Sequence, residues 1–443
     1  MQPNTSKSRL LKNKSGFIKY FKNTSWLMGE RIFRLAIALT VGVMVTRYLG
    51  PEDFGTFSYA QSFVGLFTAF SSLGLTDILV RELLKSKEKH YELMGTSFWL
   101  QTFGSCFIMV SLICFVLLNN NKPLTNKIIL IVGFTTFLHS FNVITSFFNS
   151  QVKSKFNAIP AFLGITISSL LKIYGIWQQA SLIFFVYILV FDTLFLALGQ
   201  IYYYIKSSNR LKKWTFKRAT AKALLKDSWP LILSGIVISI YMKIDQIMIK
   251  ELISNAAVGQ YAAAVRLSEA WYFIPMIICT SVFPAILNAK TKSIELYKER
   301  LSNLYDLMVF LGIAVIIPVL LFADWGIQFL YGSDFDQTAF VLKIHIWAGV
   351  FVFLGVANRR WFISENLQVY QTICLGFGMI TNIILNIIMI PKLGIAGAAY
   401  ATLISQFVAS VLAPAFFSKT RESFYMMIQS LLFISFFNKI LRR

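Results

Sequence analysis

The stretch WLMGERIFRLAIALT, residues 26 to 40, places Glu30, Arg31 and Arg34 inside an apolar run that continues to Val45. On a helix Glu30 and Arg34 are i,i+4 neighbours that can pair, while Arg31 and Arg34, three apart, share a face, so one cation is left uncompensated. A guanidinium fork matches the oxygens of a phosphate or carboxylate, and such a face suits an anionic ligand; a structural ion pair is the other reading. The stretch AAAVRLSEAWYFIP at 262 repeats the arrangement with Arg266 and Glu269 at i,i+3 and Pro275 beyond them, and there too pairing alone would account for the residues. Lys172 is a single cation that either adds to the same chemistry or snorkels and hydrogen-bonds between helices. Asp192, Lys243, Lys343, His345 and His139 are likewise single ionisable groups, each open to the same two readings.

A further set is polar rather than basic: Asp245, Asn382, Asn386 one turn on, and Thr402. A carboxylate, two amides and a hydroxyl offer hard oxygens, which suit an alkali cation or a proton better than a transition metal. An interhelical hydrogen-bond cluster uses the same groups. No G-x-x-x-x-G-K-[ST] loop occurs, so the chain carries no nucleotide engine of this type. Asp334 and Asp336 have the D-x-D spacing of some metal-dependent glycosyltransferases, but they stand in a loop of about 14 residues with no catalytic domain beside it.

The elements that hold these residues follow from composition. Of 443 residues 56% are hydrophobic and 14% charged, with a mean hydropathy of +0.64. That is more apolar surface than one soluble core can bury, and it marks a polytopic membrane protein. Twelve apolar runs are long enough to cross about 30 Å of hydrocarbon as helices, at 24–46, 57–80, 93–118, 127–148, 158–177, 181–205, 228–249, 258–287, 304–323, 338–358, 368–390 and 395–417. No small-residue cleavage site follows the first, which is expected to remain in the mature chain. Cys106, Cys114, Cys279 and Cys374 all fall in these runs and read as small hydrophobes, with no disulfide or zinc pattern.

The net charge of +22 gains its meaning from its distribution. With the N-terminus inside, 31 of the 42 Lys and Arg lie in cytoplasmic segments and five, Arg47, Lys122, Lys127, Lys250 and Lys392, in outer loops. This asymmetry predicts cytoplasmic termini and turns the basic stretch from Lys206 to Lys226 toward anionic lipid rather than nucleic acid. In that topology Arg34 lies roughly 15 Å deep, near the bilayer centre, where an unpaired charge is costly. Asp245, Asn382, Asn386 and Thr402 share a depth of roughly 6 to 12 Å from the outer ends of their spans.

The linker at 206–227 divides the chain six spans to six. NTSWLMG at 23 matches KDSWPLI at 226, and GTFSYA at 55 matches GQYAAA at 259, at offsets of 203 and 204. An even number of spans per half makes this a parallel repeat, an architecture in which substrate is held between halves. The expected organisation is a basic arm (1–23), a six-helix lobe (24–205), the basic linker (206–227), a second six-helix lobe (228–417) and a basic amphipathic tail (418–443) lying at the interface.

From RYLGPEDFGTFSYAQSF (47–63), through YMKIDQIMIKELISNAAVGQYAAAVRLSEAW (241–271) and LYGSDF (330–335), to PKLGIAGAAYATLISQ (391–406), the chain resembles the bacterial polysaccharide-unit flippases of the O-antigen, Wzx type. These share a superfamily with lipid II flippases and MATE exporters. The resemblance implies an all-α membrane protein of two six-helix lobes in a V around a central cavity. It implies alternating-access transfer of undecaprenyl-diphosphate-linked oligosaccharides to the outer leaflet of the bacterial inner membrane. Arg31, Arg34 and Arg266 would then face that cavity, with Glu30, Glu269 and Lys172 beside them. Asp245, Asn382, Asn386 and Thr402 match the positions at which lipid II flippases hold sodium, although Asn386 stands where an acid is usual. No cofactor would be required beyond a sodium ion or proton as coupling ion. Partners would be the lipid-linked substrate, membrane lipids, and a polysaccharide polymerase and chain-length regulator, with the chain working as a monomer. The alternatives are a MATE-like ion-coupled exporter, which would need acids rather than arginines facing its cavity, and a polymerase or ligase, which would need a large outer loop.

Overall fold

The computed structural model describes residues 5–119 and 121–433, and among these the regular structure is helical throughout. In chain order the α-helices are α1 (Thr5–Leu66), α2 (Thr68–Ser72), α3 (Leu75–Lys85), α4 (His90–Leu118), α5 (Pro123–His139), α6 (Val143–Ser150), α7 (Lys155–Trp177) and α8 (Leu182–Lys206). After the linker come α9 (Arg218–Leu252), α10 (Asn255–Glu269), α11 (Phe273–Lys290), α12 (Ile294–Tyr331), α13 (Thr338–His345), α14 (Ala348–Ser364), α15 (Gln368–Leu393), α16 (Ile395–Phe407) and α17 (Arg421–Leu431).

Among the described residues eleven helices are long and apolar enough to cross a membrane. The run expected as the second crossing, 57–80, is the difference from twelve. Its helix stops at Leu66, and α2 and α3 continue it in short pieces because Leu73 and Gly74 both adopt left-handed backbone, φ 50° and 60°. The apolar pattern survives that break, which is why hydropathy alone reads one span. A second break lies inside α1 at Gly50, whose φ of 68° and ψ of 175° no ordinary side chain favours. Pro51 follows, and its ring excludes the helical conformation from the residue before it.

The chain is an all-α multi-pass membrane protein, and its surface agrees. Along α12 Leu321, Phe322, Trp325 and Phe329 are all exposed, while Ser62, Thr96, Ser105, Thr136 and Ser268 are buried. Water would not tolerate so continuous an apolar stripe; lipid does, and small or hydroxylated residues then serve between helices. Gly378 on α15 packs against Ala409, and Gly312 on α12 against Val350.

Two compact units divide the chain, one of Met1–Val45 and Phe67–Ile236, the other of Thr46–Leu66 and Val237–Arg443. In the first, Leu79, Met94, Ile144, Phe147, Phe148 and Tyr204 form a buried cluster. The linker docks on α4 there: Lys217 Nζ is 2.7 Å from Glu92 Oε2, and Trp214 donates to the Tyr204 hydroxyl at 3.0 Å. In the second, Tyr305, Met308, Phe353, Trp361 and Met427 share a core.

Helix α17 belongs to that second core. The interfacial tail expected at 418–443 is therefore partly packed inside the unit. Ser423 donates to Asn358 Oδ1 at 2.6 Å, and Met427 is fully buried. Residues 434–443 lie outside the described residues.

Segment 46–66 is fixed to the second unit by named contacts. Arg47 Nη1 donates to the Phe329 carbonyl (3.2 Å), Tyr59 to Glu251 (3.1 Å) and Ser62 to Gln246 (2.7 Å). At its centre two glycines meet. A Cβ on Gly55 would lie 1.7 Å from the Asn255 carbonyl oxygen, and one on Gly259 would lie 2.0 Å from the Pro51 carbonyl oxygen. These are the glycines that mark the repeat at offset 204, and each packs on the residue equivalent to the other's neighbour.

Candidate functional site

Four helices of the second unit converge on Asp245. It stands on α9 with 7% of its surface exposed; Tyr261 comes from α10, Asn382 and Asn386 from α15, and Thr402 from α16. A buried carboxylate must find donors or lose its charge. Here Oδ2 accepts from the Tyr261 hydroxyl at 2.7 Å and the Thr402 hydroxyl at 2.5 Å, and Oδ1 from Asn386 Nδ2 at 2.6 Å. Asn386 Nδ2 also donates to Asn382 Oδ1 at 3.1 Å, as the i,i+4 spacing on α15 allows. Ser405 closes the set below, within 3.5 Å of Asn382 Nδ2 and 3.3 Å of the Tyr241 hydroxyl.

One atom of this cluster is unsatisfied: Asn386 Oδ1 is buried with no hydrogen-bond partner. An orphaned carbonyl beside a buried carboxylate, a second amide oxygen and a hydroxyl is a hard-oxygen set with a single formal negative charge. It fits a monovalent cation, or a proton on Asp245. Among the described residues no group of three or more His, Cys, Asp or Glu converges as a transition-metal site would require.

The four residues Asp245, Asn382, Asn386 and Thr402 are thus brought together from three helices. Tyr261 and Ser405 complete the cluster and were not singled out in the sequence. A tyrosine or serine within a membrane helix has no distinguishing spacing, and the available signal was Tyr261's place within the repeat motif GQYAAA.

Arg266, one and a half turns after Tyr261, takes a different direction from that expected. It does not pair with Glu269. Its Nη1 donates to Thr46 Oγ1 at 3.2 Å and its guanidinium lies 5.0 Å from the centre of the Phe54 ring. Both partners belong to segment 46–66 and are invisible to an i,i+3 rule. Glu269, half-buried at the end of α10, forms no salt bridge among the described residues.

In the first unit the local pairing does form. Arg34 Nε donates to Glu30 Oε1 at 2.8 Å, with Nη2 at 2.7 Å from the same oxygen. The Arg34 side chain is 50% exposed and that of Glu30 14%. Next to them the Phe33 ring packs tilted against Phe162 of α7, ring centres 4.2 Å apart. Arg31 is on the same helix, and its side chain lies outside the described residues. Lys172 is half-buried on α7.

Residues 20–290 match the family described as "Polysaccharide biosynthesis protein". Among curated relatives, the putative O-antigen transporter of Shigella flexneri is 24% identical over 74% of this chain and 81% of its own length. The capsular polysaccharide biosynthesis protein CapF of Staphylococcus aureus is 21% identical over 88% and 97%. The probable low-salt glycan biosynthesis flippase Agl15 of Haloferax volcanii is 27% identical, and the chain spans less than half of it, 44%, with 47% of this chain covered. Among solved structures, an inward-facing multidrug MATE transporter of the MOP superfamily aligns with a TM-score of 0.72 at 15% identity, covering 93% of this chain and 96% of its own. The lipid II flippase MurJ, in its inward closed conformation, aligns at 0.69 and 16%, covering 94% and 93%. Likeness at that identity shows the fold of these transporters. The family match covers more than half of the sequence, and the chain belongs to the polysaccharide biosynthesis protein family.

Proposed function

We propose that the protein is a flippase, a transporter and not an enzyme, that carries lipid-linked oligosaccharide units from the cytoplasmic to the outer leaflet of the bacterial inner membrane by alternating access. Its lipid carrier is undecaprenyl diphosphate, both termini are cytoplasmic, and the product feeds assembly of O-antigen or another surface polysaccharide by a polymerase and chain-length regulator. The observation that carries this reading, beside the family, is the half-exposed side chain of Arg34 within a membrane-length helix. A charge at that depth is retained where it faces water, a partner or a ligand. Glu30 supplies one negative charge to a segment with two arginines, and the remaining charge attracts the diphosphate, with Arg31, Lys172, Arg266 and Glu269 as the further substrate-binding residues of the two six-helix lobes, 24–205 and 228–417.

The Asp245 cluster supplies coupling. Sodium or a proton would be held by Asp245, Asn382, Asn386 and Thr402, and its presence would neutralise the carboxylate that three donors otherwise satisfy. Moving one charge through the membrane field is worth about 2.3 kcal/mol per 100 mV, enough to bias a transport cycle.

Likeness to multidrug MATE transporters favours one second reading, ion-coupled export of small molecules. A cationic drug needs acidic groups in its path, whereas the half-exposed charge of α1 is an arginine. The test is export in cells: Arg34→Ala is expected to abolish surface polysaccharide while membrane insertion persists, and Arg34→Lys to restore part of it. Normal polysaccharide in the alanine variant would reject the role.

A further inference from the structure

The first unit contains a cavity of about 230 Å³ at the ends of its helices, walled by Leu84 and Phe147 and lined on its polar side by His90, Ser150, Gln151 and Asn209. Three loops meet there, those after α3, α6 and α8, which the charge asymmetry of the sequence places on the cytoplasmic side. Each contributes or borders an ammonium group held over an aromatic ring. Lys155 Nζ lies 4.9 Å from the Phe156 ring centre, Lys206 5.5 Å from that of Tyr202, and Lys213 5.5 Å from that of Tyr91, the neighbour of His90. Among the described residues none of these three lysines has an acidic partner. Of the nearby carboxylates, Glu82 is engaged by Arg81 and Lys85 and Glu92 by Lys217 and Thr220, while Glu88 in the loop after α3 is exposed.

We propose that this cleft seats the phosphate-bearing headgroup of an acidic membrane phospholipid. A phosphodiester at the mouth of the cleft meets the ammonium groups on the segments that border it. Inside, Ser150 and Asn209 already donate to the Phe147 carbonyl and to the Tyr204 and Ser207 carbonyls, so their side-chain oxygens, with the Gln151 amide, are left to accept from the hydroxyls of a glycerol headgroup. A lipid is selected over a soluble anion by the flank of the cleft. Leu84, Tyr202 and Ile205 are each more than half exposed. Lys206 lies over the Tyr202 ring, the pairing of aromatic and basic residues that marks the headgroup level. Basic pockets between helices at that level recognise anionic headgroups. This inference is independent of what the protein transports.

The experiment is native mass spectrometry of the full chain in mild detergent, titrated with phosphatidylglycerol and phosphatidylcholine of equal chain length. The wild type is expected to retain at least fivefold more phosphatidylglycerol. Lys155→Gln/Lys206→Gln/Lys213→Gln should remove that preference, and Ser150→Trp, which fills the cleft without altering charge, should lower phosphatidylglycerol retention on its own. Equal retention of the two lipids by the wild type, or an undiminished preference in the triple variant, would overturn the proposal. So would full displacement of phosphatidylglycerol by equimolar glycerol 1-phosphate, which would assign the cleft to a soluble anion.

Discussion

Replacing Gly259 by alanine tests the packing of segment 46–66 on α10. The added Cβ would lie 2.0 Å from the Pro51 carbonyl oxygen and, since real contacts are essentially never under 3.0 Å, the two backbones must part by about 1 Å. The obstacle is backbone, which cannot rotate away as a side chain would. Overpacking costs about 1 to 3 kcal/mol when side chains can adjust, so a value of about 3 kcal/mol is expected here. At roughly 2 °C per kcal/mol for a unit of this size, the melting temperature in detergent should fall by about 6 °C. Gly376 on α15 has nothing within 4 Å of its Cβ position, and Gly376→Ala is the control, expected to melt as the wild type or slightly higher. Gly55→Ala should cost as much as Gly259→Ala, because its Cβ would be 1.7 Å from the Asn255 carbonyl oxygen at the same crossing. One separation relieves both clashes, so the double variant should cost about as much as either single one, far from additive. Gly259→Ala melting with the control would refute the close approach, and full additivity would refute the shared crossing.

Three further outcomes follow from the second unit. Asp245→Asn removes the charge at the centre of the proposed ion site; transport in vesicles should slow and lose its dependence on an imposed sodium or proton gradient, and unchanged ion dependence would reject the site. Tyr261→Phe deletes one of three donors to the buried Asp245 carboxylate, a loss of about 1.5 to 3 kcal/mol for a hydrogen bond to a charged group, and should shift the ion concentration at half-maximal rate while Tyr241→Phe, two contacts away, shifts it less. Met427→Ala on α17 empties a fully buried position and should cost about 2 to 5 kcal/mol; melting unchanged from the wild type would mean that the helix is not part of the core.

How much of this was legible in the sequence depends on whether each contact is local. Glu30 and Arg34 pair as i,i+4 neighbours because helix geometry alone brings them together. Asp245, Asn382, Asn386 and Thr402 share one depth, a quantity that helical rise and topology supply without knowledge of packing, yet depth does not name Tyr261, which reaches the carboxylate from a fourth helix. Arg266 shows the limit. Its sequence neighbour Glu269 is a plausible partner, but Thr46 and Phe54, more than 200 residues away, take the guanidinium. The break at Leu73 and Gly74 was hidden because hydropathy averages over residues and does not register one left-handed backbone. Gly55 and Gly259 were visible as repeat markers, while the reason for glycine at both, their mutual approach, appears only once the helices are packed.

The central claim is that the chain moves a lipid-linked, anionic glycan across a bilayer. It is tested most directly by reconstituting the protein in vesicles with a fluorescent undecaprenyl-diphosphate oligosaccharide and measuring how fast the label becomes accessible to a membrane-impermeant quencher. Accelerated exposure by the wild type, lost with Arg34→Ala and absent for an uncharged glycolipid, is the predicted result. Exposure no faster than in protein-free vesicles, or export of a cationic dye by the same preparation in its place, would contradict it.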